Sequence, residues 1–246
     1  MQVTLKNFKG LIPFAFTFAN ALFGFLSIIK TLEGEFVTAA WLIVAAAVMD
    51  GLDGRMARYF GTVGKLGGEL DSLCDAISFC LAPTVLLYSW YLHDFGHAWL
   101  FLSAVGFYLC AGLFRLARFN VTEKDQSMFF FGLPTTIAAF FLMQFIFYKE
   151  WFATSSYSVV VSQKGMVGII AFVGLLMISS LRFPAFKKAR LPLRTPATYL
   201  KLGLVIGLMW WCSQHGYPFL LIMFSFYILG ALLFNGFINT KACLKK

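Results

Sequence analysis

Charge is scarce in this sequence: Asp, Glu, Lys and Arg make up 13% of 246 residues, against 60% hydrophobic and 18% aromatic. A soluble domain carries about 25% charged residues, so this balance excludes one, and the chain reads as a polytopic membrane protein of a single domain. Paired cysteines are missing too. Cys74, Cys80, Cys110, Cys212 and Cys243 form no CxxC and lie mostly within apolar runs, where cysteine behaves as a small hydrophobe rather than a disulfide or zinc partner. The first apolar run, 11–31, has no clear small-residue cleavage site and carries polar residues. It is therefore expected to be a retained helix rather than a secretory leader. Neither a low-complexity linker nor an internal repeat is visible.

What is there is a series of long apolar runs. They predict helices near 11–31, 36–58, 69–92, 97–119, 133–152, 164–182, 198–214 and 218–238, about eight transmembrane helices in an all-α fold. The net charge of +9 raises nucleic acid as a partner, but where the charges lie decides against it. With the N-terminus cytoplasmic, 17 of the 20 basic residues fall in alternate, inside segments, and only Lys30, Lys149 and Lys164 fall outside. That asymmetry predicts both termini and residues 50–75 at the cytoplasmic face of the membrane. The segment 183–197, with four basic residues and three prolines, is a basic cytoplasmic connection. It either lies on an anionic lipid surface or serves topology alone.

The acids are concentrated where the apolar runs least accommodate them. Of 11 in the chain, five lie in residues 50–75. Asp50 and Asp53 are three apart, and Asp71 and Asp75 four apart, so on helices each pair projects from one face. Two facing helices then present four carboxylates to one point. Near membrane depth each costs up to about 2.5–3.5 kcal/mol, and like charges repel. Bound divalent cations resolve both problems, and hard oxygen donors suit Mg²⁺, Mn²⁺ or Ca²⁺. The alternative, acids paired with Arg55 or Arg58, accounts for at most two of the four. His93 and His97 mimic a metal pair in their spacing, but they fall on the predicted outer face, across the bilayer from the acids.

Written as Asp50-x2-Asp53-Gly54-x2-Ala57-Arg58-x8-Gly67-x3-Asp71-x3-Asp75, the stretch resembles the signature of the CDP-alcohol phosphotransferase family at every fixed position. The resemblance implies a metal-dependent exchange at a pyrophosphate, in which a CDP-linked lipid and an alcohol give a phosphodiester and CMP. On that basis Asp50, Asp53, Asp71 and Asp75 are expected to hold Mg²⁺ or Mn²⁺, two ions in all, with Asp75 also the general base. Gly54, Ala57 and Gly67 keep a face low for the nucleotide. Arg58 reaches a phosphate, and Lys65 either does likewise or is topogenic. Thr17 and Asn20, three apart on the first helix, either read the cytosine base or make an interhelical hydrogen bond. Phe14 stands where the family's first helix commonly has Asn. The resemblance also implies a homodimer; the order of apolar runs and the 183–197 connection suggest a six-helix catalytic core in residues 1–182 to which 198–246 adds a helix pair.

Further segments resemble the bacterial-type phosphatidylserine synthases within that family: Thr17-x-x-Asn20-x-x-x-Gly24, Glu69 through Phe79 continuing to Ala82-Pro83, Arg115-Leu116-Ala117-Arg118-Phe119-Asn120, and Gly132-Leu133-Pro134. The implied substrates are CDP-diacylglycerol and L-serine, among membrane lipids. Arg115 and Arg118 are candidates to grip the serine carboxylate bidentately. One of them instead holds the lipid phosphate, or both are positive-inside anchors. Glycerol phosphate, inositol phosphate or choline as acceptor keeps the same chemistry. A cation transporter using the acids as an ion path is the alternative from another class.

Overall fold

The computed structural model of the chain describes residues 6–61, 64–95, 99–122, 129–148, 163–184, 225, 227–231 and 233. Helix α1 (Lys6–Leu32) turns through Gly34 (φ 81°) into α2 (Phe36–Phe60). Helix α3 (Lys65–Asp75) continues through a π-helical turn (Ala76–Leu81) into α4 (Ala82–Phe95). Then come α5 (Trp99–Thr122), β1 (Phe129–Phe131), α6 (Thr135–Phe147), α7 (Gln163–Ile178) and β2 (Arg182–Pro184).

Four helical stretches are long and apolar enough to cross a membrane: Pro13–Leu32, Phe36–Phe60, Leu66–Leu92 and Trp99–Val121. Helices α6 and α7, at 13 and 16 residues, fall short of the roughly 20 that a bilayer core requires. Four of the eight expected spans are thus found among the described residues. The predicted helix at 198–214 and the connection from 185 lie outside them, and of 218–238 only 225, 227–231 and 233 are described, as helix. The architecture is helical, as expected, with one small addition. Strands β1 and β2 pair antiparallel, with Phe130 opposite Phe183. Three residues per strand, drawn from segments some fifty positions apart, are too few to show the period-two alternation that announces a strand.

Small residues let the first two spans approach. Ala39, Ala40 and Ala46 are fully buried on α2, and the Ser27 hydroxyl of α1 donates to the Ala39 carbonyl at 2.9 Å, as expected where helices associate without a hydrophobic drive between them. On the other side of α1, Phe18, Leu22 and Phe25 are each more than half exposed. Their spacing at i, i+4 and i+7 makes an apolar stripe that suits lipid. At the loop end of this hairpin Lys30 pairs with Glu33 at 2.7 Å and Glu35 at 3.3 Å. The core gathers around α2, α4, α5, α6 and α7, with Phe79, Leu86, Tyr91, Phe101, Tyr108 and Leu142 fully buried.

Candidate active site

The site is assembled where α2 ends and α3 begins. Gly61 closes α2 in the left-handed region (φ 65°), its N–H bonding the Ala57 carbonyl, a C-terminal stop that glycine tolerates best. Gly64 then precedes α3 with extended backbone. The last turns of α2 and the whole of α3 thus lie beside α1, and three carboxylates meet: Asp50, Asp53 and Asp71 each bring an oxygen within 4.8 Å of the others. Asp53 is buried while Asp50 and Asp71 are half-buried.

Neutral donors on α1 orient this cluster. The Thr17 hydroxyl lies 2.9 Å from Asp53 Oδ2 and 3.1 Å from the Pro13 carbonyl. With one proton to share, it favours the charged acceptor. Asp53 also accepts from the N–H of Gly54, and its carboxylate stands beside that of Asp71. Asp75 departs from the expectation that four carboxylates share one point. It sits one turn beyond Asp71, in electrostatic contact with Asp50, Asp71 and Asp53, but outside the set of three. The reason is a tether: the Asn20 amide donates to Asp75 Oδ1 at 3.0 Å.

Beside the three carboxylates opens a cavity of about 280 Å³ lined by Pro13, Phe14, Thr17, Asp53, Gly54, Ala57, Arg58, Gly64, Gly67, Gly68 and Asp71. It sits near the lower end of the roughly 300–1,000 Å³ usual for ligand sites. Seven of its lining residues are candidates from the sequence, Thr17, Gly54, Ala57, Arg58 and Gly67 for the nucleotide and its phosphates and Asp53 and Asp71 shared between metal and nucleotide; Asp50 and Asn20, the latter engaged with Asp75, are not among them. Sequence reasoning missed Pro13, Phe14, Gly64 and Gly68. Phe14 was findable: three positions before Thr17, it falls on the same helix face, and its ring edge comes 4.0 Å from where a Gly67 Cβ would stand. Arg58 folds back over Gly54, a guanidinium nitrogen 3.5 Å from a Cβ placed there. The side chain of Lys65 lies outside the described residues.

The two arginines of α5 part ways. Arg115 is buried, its Nη1 donating to Thr135 Oγ1 at 3.3 Å and its guanidinium 5.6 Å from the Phe119 ring centre. Arg118 donates to the carbonyls of Ile178 (2.8 Å), Phe131 (2.7 Å), Met177 (3.2 Å) and Ser179 (3.1 Å). It closes the C-terminus of α7 and fastens it to β1, a role suited to a cation at that end of a helix. Gly132 (φ 76°) makes room, since a Cβ there would come 2.5 Å from the Arg118 guanidinium. The expectation that Arg118 grips an acceptor carboxylate or lipid phosphate is set aside for this reason. A second link the sequence did not reveal joins α5 to α3: Ser72 donates to Asn120 Oδ1 at 2.8 Å, and Asn120 Nδ2 donates to Glu69 at 2.9 Å.

Three carboxylates with hard oxygens in mutual reach, in a span where each charge is costly, fit a divalent cation better than any other occupant. The profile of the CDP-alcohol phosphatidyltransferase family matches residues 10–234. A Helicobacter pylori protein named CDP-diacylglycerol–serine O-phosphatidyltransferase is 32% identical over 222 residues, covering 82% of this chain and 91% of its own length. A Methanocaldococcus jannaschii protein of the same name is 34% identical over 161 residues, 65% of this chain and 71% of that protein. The archaetidylserine synthase of Methanothermobacter thermautotrophicus is 34% identical over 175 residues, covering 70% and 69%. A match that runs through every described span and the whole carboxylate cluster makes this chain a member of the CDP-alcohol phosphatidyltransferase family.

Proposed function

We propose that the protein transfers the phosphatidyl group of CDP-diacylglycerol to the hydroxyl of L-serine, giving phosphatidylserine and CMP. The observation that carries this reading is the convergence of Asp50, Asp53 and Asp71, of which Asp53 and Asp71 line a glycine-rich cavity. The serine acceptor is supported by relatives whose names share that head group.

In this reading Asp50, Asp53, Asp71 and Asp75 hold two Mg²⁺ or Mn²⁺ ions. Such ions, when bound, neutralise the pyrophosphate oxygens and stabilise the departing phosphate. The chain's own groups do the rest. Thr17 keeps Asp53 turned toward the cluster. Gly54, Ala57, Gly67 and Gly68 leave the cavity wall bare, so that the nucleotide lies close to the backbone. Arg58, at the cavity rim, pairs with a phosphate. Asn20 fixes one oxygen of Asp75, and that carboxylate takes the serine hydroxyl proton as the new O–P bond forms and the bond to CMP breaks. Arg115, buried on α5 beside Thr135, holds the serine carboxylate. The inside bias of the basic residues supports a cytoplasmic location for this chemistry and for both termini. Family resemblance supports a homodimer, and the order of apolar runs supports residues 1–182 as catalytic core, 183–197 as connection and 198–246 as an appended helix pair.

Purified protein given CDP-diacylglycerol, Mn²⁺ and a panel of alcohols tests the acceptor. CMP release is expected with serine. Release with glycerol phosphate, inositol phosphate or choline and none with serine overturns it. Arg115→Lys keeps the charge but loses the fork, and is expected to raise the KM for serine about tenfold with the lipid KM unchanged. An equal rise in both contradicts carboxylate recognition there.

A further inference from the structure

Asp75 is the last α-helical residue before the π-helical turn Ala76–Leu81, and what grips that turn has no part in the reaction as described so far. A π turn closes i→i−5 bonds, here from the Ala82 N–H to the Ile77 carbonyl. It inserts one residue into the span. At 3.6 residues per turn the insertion rotates everything before it by about 100° relative to everything after it. The face that carries Asp71 and Asp75 is thereby set independently of the face that α4 buries.

Two neighbouring helices hold the turn, each through a glycine and a hydrogen bond. On α1, Gly24 lets Ser78 in: a Cβ at 24 would stand 2.8 Å from Ser78 Cα, a backbone atom that cannot swing away. The Ser78 hydroxyl donates to the Asn20 carbonyl at 2.9 Å, on the same residue whose amide holds Asp75. On α5, Gly112 lets Cys80 in, a Cβ there falling 2.5 Å from its sulfur. One turn earlier the Tyr108 hydroxyl donates to the Phe79 carbonyl at 2.8 Å. Asn20, Ser78, Phe79, Cys80 and Tyr108 are all fully buried. An interrupted α-helical ladder needs outside donors for its carbonyls, and Tyr108 is placed to be one.

We infer that Tyr108 and Ser78 are positioning residues: from α5 and α1 they lock the π turn, and through it set where the Asp75 carboxylate stands relative to Asp50, Asp53 and Asp71. The inference rests on the reading of Asp75 as proton acceptor. A misplacement of 1 Å at a reacting group costs up to about 100-fold in rate, so the lock matters to turnover well before it matters to folding.

Tyr108→Phe removes one hydroxyl and no volume. It is expected to lower kcat about 10- to 100-fold with the KM for both substrates within about twofold of the parent. Ser78→Ala is read in the same way should Tyr108→Phe not purify as a folded protein. Amide exchange across residues 75–81 is expected to accelerate about tenfold in either variant, with α2 unchanged. A variant with lower Tm but parental kcat and parental exchange at 75–81 overturns the inference. The parental rate with serine tests the transferase reading separately: if it is nil, that reading fails, while the exchange measurement still decides whether Tyr108 and Ser78 hold the turn.

Discussion

Asp75→Asn is expected to lower kcat by about 10²- to 10⁴-fold, the range a positioned general base contributes, and to leave the protein folded and able to bind CMP. Asparagine matches the carboxylate in shape, and Asn20 reorients its amide to meet either polar end. What is lost is the capacity to accept a proton, together with one charged ligand to the cations. Asp75 suits this role better than its three neighbours do. Asp50, Asp53 and Asp71 face one another within 4.8 Å, and Asp53 is further engaged by Thr17 and the Gly54 N–H. Asp75 stands beside that set with one oxygen anchored. CMP release measured at saturating serine and lipid checks the assignment. Turnover within about threefold of the parent refutes it, because loss of a true general base does not fall below the 10² floor.

Stripping divalent cations is expected to abolish CMP release altogether, with Mg²⁺ or Mn²⁺ restoring it. In a span, each carboxylate costs up to about 2.5–3.5 kcal/mol, and three with oxygens this close repel as well. No arrangement of neutral donors such as Thr17 or Asn20 removes that repulsion; cations do. The same reasoning predicts that cation removal lowers the Tm of the purified protein, since binding to the folded state alone stabilises it in proportion to RT ln(1 + [L]/Kd). Undiminished CMP release after exhaustive chelation contradicts a metal-assisted reaction.

Much of this was legible in the residues. The spacing of Asp50, Asp53, Asp71 and Asp75 announced carboxylates on shared helix faces, and the apolar runs located the spans within a few residues: 36–58 against Phe36–Phe60, and 97–119 against Trp99–Thr122. The π turn was not legible. In a membrane span all faces are apolar, so hydrophobic periodicity carries no phase from which a one-residue insertion is read. Nor was the divergence of Arg115 and Arg118, three apart on α5. Spacing places both near one face, but it is silent on the C-terminus of α7, sixty positions along the chain, whose carbonyls occupy Arg118. Long-range pairing also hid the β1–β2 contact and the Ser72–Asn120–Glu69 link.

The central claim is that cations sit among these four acids and prepare a hydroxyl for attack on phosphorus. Anomalous scattering from Mn²⁺ in crystals of the protein with CMP tests it most directly. The account predicts density bounded by Asp50, Asp53, Asp71 and Asp75, lost in Asp71→Asn. Manganese bound elsewhere, or none at these carboxylates at saturating concentration, contradicts it.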